Sequence, residues 1–123
     1  MDKDLQAIGG NTYSWIAELV DRLDTDDDEQ REQVEQEIWE SALEVSVRYD
    51  WHSPGGDDSQ PTEYKILLSW GGPATQIVGG LSQYGEPETA ELQAQDWFRP
   101  WETYNGGDES ILLAFASQFY FGG

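Results

Sequence analysis

The chain has 123 residues, enough for one domain with one modest hydrophobic core. Its 25 acids stand against six bases, for a net charge of −19, and it carries six Trp, six Tyr and four Phe. The charge excludes nucleic acid and anionic membranes as direct partners, since both would be repelled; the aromatic content argues against disorder, which combines high charge with few aromatics. Cysteine is absent, so disulfides, thiolate nucleophiles and Cys-ligated zinc are excluded. No apolar run approaches the roughly 18 residues of a membrane span. Met1–Gly10 has neither the basic start nor the apolar centre of a signal peptide, so a cytoplasmic protein is expected.

Residues 1–11 read as a loose lead-in that ends at Gly9-Gly10-Asn11. Asn11 or Thr12 can cap a first helix. Ile16, Leu19, Val20 and Leu23 then recur at helical spacing, with Glu18, Asp21 and Arg22 outside. Asp24-Thr25 breaks the pattern. Thr25 or Asp26 is placed to cap a second helix, and Asp26 with Glu29 has capping-box spacing. Asp27, Asp28 and Glu29 suit the positive end of its dipole. Along this helix Val34, Ile38, Ala42 and Val45 form an apolar stripe, while Trp39 and Leu43 fall on its acidic side. The two helices, over residues 12–48, are expected to form an antiparallel hairpin. The second ends near Arg48, although the alternation of Val45, Val47 and Tyr49 also allows a short strand there.

Residues 50–62 are a loop by composition, with two Pro, two Gly and two Ser. A β-meander over 63–98 follows. Its first strand, 63–70, sets Tyr64, Ile66, Leu68 and Trp70 on one face. Gly71-Gly72-Pro73 turns the chain into a second strand, 74–82, in which Gly79-Gly80 signals a bulge or a close backbone approach. After the turn at 83–87, a third strand, 88–97, points Ala90, Leu92 and Ala94 to one side. Trp97, Phe98, Pro100, Trp101 and Tyr104 cluster at the exit of the sheet. Asp108 caps a last helix, 108–120, with Ile111, Leu112, Phe115, Ala116 and Phe119 on its buried side. The expectation is an α+β domain, with helices against one face of a three-stranded antiparallel sheet.

No sequence motif dictates a reaction: GxSxG, a phosphate-binding Gly loop and HExxH are all missing. The lone His52 sits in the 50–62 loop beside Asp50, Asp57 and Asp58, and nothing distinguishes it from an exposed loop residue. Asp24, Asp26, Asp28 and Glu35 match four positions of a calcium-binding loop, but Glu29 stands where that loop needs glycine. The glycines and aromatics of 70–73 and 97–101 are accounted for by turns and packing. The expectation is therefore no catalytic residue, no metal and no cofactor.

The acids point elsewhere. Duplex DNA presents one charge per roughly 1.7 Å of axis, and residues three or four apart on a helix lie about 5–6 Å apart. Glu29, Glu32 and Glu35 give one such row, and Glu37, Glu40 and Glu44 another. Asp21, Asp24, Asp26, Asp27 and Asp28 extend the field around the corner between the helices. Trp39 and Leu43, if exposed beside these acids, offer an apolar anchor between the rows. This pattern suits a basic nucleic-acid-binding protein as partner; a solvated helix face, or surface adaptation to salt, is the plainer account. Self-association through Trp39 and Leu43 is opposed by the net charge, so a monomer or weak homodimer is expected.

At Ser69-Trp70-Gly71-Gly72-Pro73 and Gln95-Asp96-Trp97-Phe98-Arg99-Pro100-Trp101 the chain resembles small acidic proteins encoded by bacteriophages and other mobile elements. The similarity covers residues 63–121. Several small acidic phage proteins are anti-CRISPR or anti-restriction inhibitors that occupy a DNA-binding cleft, and size and charge make this chain similar to that class. The resemblance implies a CRISPR or restriction subunit as target and the host cytoplasm as the site of action. It carries no functional residue over. The alternative is a phage structural or assembly protein whose Trp-rich sheet is the contact surface.

Overall fold

The structure, a computed structural model, describes residues 3–49, 51, 61–70, 73–96 and 100–121. It is an α+β domain. In chain order it runs α1 (Lys3–Leu23), α2 (Asp28–Ser41), β1 (Glu44–Tyr49), β2 (Pro61–Ser69), β3 (Ala74–Gly80), β4 (Glu91–Gln95), β5 (Glu102–Thr103) and α3 (Glu109–Ala116). The strands form one antiparallel sheet in the order β1-β2-β3-β4-β5.

Five strands stand where three were expected. The additions are β1 and β5, one at each edge of the sheet. The third strand of the expected meander starts later, at Glu91, and the last helix is shorter than 108–120. The second helix stops at Ser41 and not near Arg48. Val45 satisfied helical spacing and strand alternation equally, and pairing with β2 decides for the strand: Val45 lies opposite Ile66 and Val47 opposite Tyr64.

The first helix begins at Lys3, nine residues earlier than Thr12, and runs through Gly9-Gly10 without a break. The reason is tertiary. A side chain at Gly9 would place its Cβ 2.8 Å from that of Tyr104, so glycine here admits the segment carrying β5. The Gln6 amide then donates to the Glu102 carboxylate (2.9 Å) and the Thr103 carbonyl (3.0 Å). Buried Leu5 adds an apolar contact to this first turn. Together these outweigh the low helix propensity of a glycine pair.

Asp27, and not Thr25 or Asp26, caps α2. Its carboxylate accepts from the Glu29 and Gln30 backbone N–H groups at 2.9 and 3.3 Å. Thr25 supports the turn instead, accepting from the Asp27 N–H and donating to Gln30. Asp108 caps α3 as expected.

The core lies between the helices and one face of the sheet. Val34 and Ile38 of α2 and Ile16 and Leu19 of α1 meet Tyr64, Ile66, Ile77 and Leu92 from the strands. Leu112, Phe115 and Ala116 close it from α3. Ile66, Ile77 and Leu92 sit in register across β2, β3 and β4, forming a continuous apolar row. The helices sit off centre: α1 lies against β3 and β4, and α3 against β4. Trp70, expected on the inner face, falls just past β2 and is exposed.

The Gly79-Gly80 pair makes a close backbone approach. A Cβ at Gly79 would lie 1.9 Å from the Thr89 carbonyl oxygen, which also accepts the Tyr64 hydroxyl at 2.6 Å. Burial pushes the Tyr64 phenol up from its ordinary range, and the Glu109 carboxylate adds to the effect, so it stays a donor. At Gly80 the nearest atom is 3.5 Å away. Gly79→Ala is therefore expected to cost about 3 kcal/mol or more, and Gly80→Ala within about 0.5 kcal/mol, by denaturant midpoint.

The Ser110 hydroxyl and backbone N–H hold the Asp108 carboxyl below its ordinary value. A depressed acid stabilises the fold fully above its unfolded-state pKa, and that contribution is lost as pH falls through the folded-state value. Asp108→Ala should lower the thermal midpoint at pH 7. The gap from wild type should narrow as pH falls below the ordinary carboxylate range; a gap that stays constant to pH 2 would mean the charged cap contributes nothing.

Candidate functional site

The acidic surface is built on the end of α1, the connection 24–27, and the outer side of α2. Asp21 stands in the last turn of α1, and Asp24 and Asp26 in the connection, all exposed. The Asp24 N–H bonds the Asp21 carbonyl at 3.1 Å, which turns the corner tightly and keeps these carboxylates together. Asp27 is committed to the cap of α2. Asp28 follows in the first turn, 3.8 Å from Arg31.

Burying Val34 and Ile38 fixes the rotation of α2 and so decides which acids face water. Glu29, Glu32, Glu37 and Glu40 are exposed and Glu35 is half-buried. Glu37 pairs with Arg22 of α1 at 2.6 Å, tying the two helices together. Glu40 accepts from the Gln36 amide at 2.9 Å. Arg31 also donates to the Thr25 carbonyl. No described cation lies within ion-pairing distance of Glu29, Glu32 or Glu35.

One of the two expected rows is therefore kept and the other is not. Glu29, Glu32 and Glu35 all lie on α2, spaced by three residues. Glu44 has left the helix: it opens β1, where its carboxylate accepts from the Ser46 hydroxyl at 3.0 Å. It cannot continue a helical row from Glu37 and Glu40, because the chain turns into the sheet after Ser41.

At 100° per residue Asp28, Glu32, Glu35 and Trp39 fall within roughly 60° of one another on α2. Trp39 is 55% exposed, and its indole N–H donates to the Gln118 carbonyl beyond α3. This bond holds the ring at the end of the acid row. Leu43 comes next, 61% exposed. From there an apolar row continues along β1: Val45, Val47 and Tyr49, each exposed, so that Val45 is not buried in the core as its place in the helical stripe predicted. Their alternation was visible in the sequence. Their exposure was not, because it follows from the helices lying over β3 and β4.

The outer face of the sheet is mixed, with Leu67 and Val78 among polar Lys65, Gln76 and Gln93. Gln76 bonds Gln93 across β3 and β4 at 2.7 Å. A shallow depression of about 580 Å³ crosses β1, β2 and β3, bringing Arg48 and Lys65 beside Glu63. Arg48 is ion-paired with Glu63. Among the described residues no three His, Asp or Glu side chains are grouped so as to hold a metal ion. Asp24, Asp26, Asp28 and Glu35 are instead divided between the turn and the helix. His52, Trp97 and Phe98 lie outside the described residues. Among the described residues no helix is long and apolar enough to cross a membrane.

Neutralising the kept row should stabilise the fold, since like charges at this spacing repel by about 0.2–0.5 kcal/mol per pair. The triple variant Glu29→Gln, Glu32→Gln, Glu35→Gln is expected to melt a few degrees higher than wild type at low salt. The gain should vanish in 1 M NaCl, where the Debye length falls to about 3 Å. A lower melting point would show instead that these carboxylates support the helix.

No protein-family model, curated protein or solved structure matches the chain.

Proposed function

We propose that the protein is an inhibitor that imitates the phosphates of duplex DNA and binds the basic nucleic-acid-binding surface of another protein, in the manner of small acidic phage-encoded anti-CRISPR or anti-restriction proteins. The observation that carries the reading is the row Glu29–Glu32–Glu35, which has no ion-pair partner among the described residues. It lies on a helix whose rotation is fixed by Val34 and Ile38, and is continued around the corner by Asp26, Asp24 and Asp21. A rigid array of carboxylates differs from a merely acidic surface. It meets a partner's guanidinium and ammonium groups without first ordering its own backbone, so less binding energy is lost to conformational entropy. Both arginines of this region are already engaged within the molecule, Arg22 with Glu37 and Arg31 with Asp28 and the Thr25 carbonyl. Trp39 at the end of the row supplies the apolar contact that pure charge lacks. The mechanism is steric and electrostatic, with no catalytic group. Association is fast through steering and weakens steeply with salt.

A second reading rests on a different observation. Trp70 and Tyr84 are 71% and 75% exposed near opposite ends of β3. A phage structural or assembly partner engaging these aromatics would bind in a salt-tolerant way.

The two readings separate in one experiment. Tagged protein is used to capture partners from bacterial lysate, eluted in salt steps and identified by mass spectrometry; each captured protein is then purified and challenged with duplex DNA. Mimicry predicts nucleic-acid-binding proteins that elute at moderate salt, compete with duplex DNA and lose affinity at least about tenfold for the Glu29→Gln, Glu32→Gln, Glu35→Gln variant. Partners that tolerate salt, ignore duplex DNA and are lost on Trp70→Ala would replace that reading with the second.

A further inference from the structure

The two edges of the sheet are not alike. β5 is two residues long, whereas β1 has six and pairs only with β2 among the described strands. An edge strand leaves half its backbone N–H and C=O groups without a strand partner, and natural edges are usually shortened, covered or charged to prevent further pairing. β1 is not short, and no other described strand pairs with its outer edge. Antiparallel neighbours opposite one another share a face, so Val45 and Val47, opposite Ile66 and Tyr64, lie on the core side of the sheet. Ile66 and Tyr64 are almost wholly buried, yet Val45 and Val47 remain 39% and 37% exposed. Leu43 precedes this row and Tyr49 ends it.

We propose that β1 pairs antiparallel with β1 of a second copy, about a two-fold axis through Ser46, giving a continuous ten-stranded sheet. The sequence of the strand selects the partner. With Ser46 opposite Ser46 of the second copy, Val45 falls opposite Val47, Leu43 opposite Tyr49, and Glu44 opposite Arg48. Every apolar residue then meets an apolar one on the core side, and each acid meets a base on the outer side. The match is specific to this register. Sliding by two residues, which preserves the faces, sets Arg48 opposite Ser46 or Ala42 and leaves Glu44 without a base. A slide by one residue brings the apolar row against the polar face. Parallel pairing sets like charge beside like charge. Within its own chain Arg48 already bonds Glu63, so the guanidinium is held on the outer face beside the edge it would reach across. A two-fold contact of this kind uses the same patch on both copies and closes on itself.

The opposing force is the repulsion between two chains of −19 each. Salt screens that repulsion and also the two exposed Glu44–Arg48 contacts, which are few beside the summed charge of two chains, while the apolar contacts do not depend on salt. The pairing therefore strengthens as salt rises, opposite to the salt dependence expected for the acidic row on α2, and the two surfaces are separable by experiment.

Sedimentation equilibrium of the full chain between 0.05 and 1 M NaCl tests the proposal, with these concentrations chosen to span roughly 13 to 3 Å in Debye length. The expected result is a reversible rise from the 13.9 kDa monomer mass toward twice that value as salt and protein concentration increase. Glu44→Arg should weaken association about tenfold or more, and the triple variant Glu44→Arg, Arg48→Glu, Glu63→Arg, which also keeps the ion pair between positions 48 and 63, should restore it, because positions 44 and 48 face each other across the axis. Ser46→Cys gives a chain with a single thiol on the axis, at a separation a disulfide can span. Mild oxidation should link it into a dimer, while Lys65→Cys on the neighbouring strand should not link. Circular dichroism of each variant checks that it folds. A monomer mass at every salt and protein concentration overturns the proposal. So does a dimer indifferent to Glu44→Arg, which would place the contact on another surface.

Discussion

The fold depends on one contiguous apolar cluster holding together a chain that repels itself. Ile16, Ile38, Ile66, Ile77, Leu92 and Phe115 are each less than 2% exposed and come from α1, α2, β2, β3, β4 and α3. Each of those elements thus places at least one fully buried side chain in the cluster, of a type whose burial contributes about 1.5–3 kcal/mol. With a net charge of −19 acting against compactness, the elements have no comparable second source of cohesion. The three described ion pairs are all at least partly exposed and contribute little each. The polar atoms inside are matched: no buried side-chain nitrogen or oxygen among the described residues lacks a partner.

That dependence explains where the acids go. A helix that must present Val34 and Ile38 to the core has its remaining faces open, and the charge collects there. The same rotation that buries two aliphatic side chains sets Glu29 and Glu32 toward solvent and leaves Glu35 half-buried beside them. Folding and surface potential are thus settled by the same two residues. Changing either for a smaller side chain would loosen the array before it changed a single charge.

What could be read from the sequence follows from how local each cause is. The alternation of Tyr64, Ile66 and Leu68 and the helical spacing of Ile16 and Leu19 place their residues correctly, because burial imposes those periods directly. Asp108 as a cap is legible because its acceptor acts two residues away. The start of α1 was not legible, since Gly9 is explained by Tyr104, nearly a hundred residues distant. β5 is two residues long and leaves no period to detect. Val45 was ambiguous because a helical stripe and a strand row coincide there, and only the pairing with Ile66 separates them. The acidic row on α2 was visible as composition and spacing. Glu44 was misplaced with the end of its helix, and the open face of β1 depended on where α1 and α3 rest.

The two-residue length of β5 has a consequence for how far strand pairing could extend. A sheet with two long bare edges can accept a neighbour on each side and extend without limit, which is how strand pairing leads to fibres. Here one end of the sheet is too short to template anything, and β4 behind it is already paired. Growth by strand addition is consequently terminated after one event. The exposed valines of β1 and the two-residue β5 thus stand at opposite ends of one sheet, one open to a single further strand and the other offering none a place.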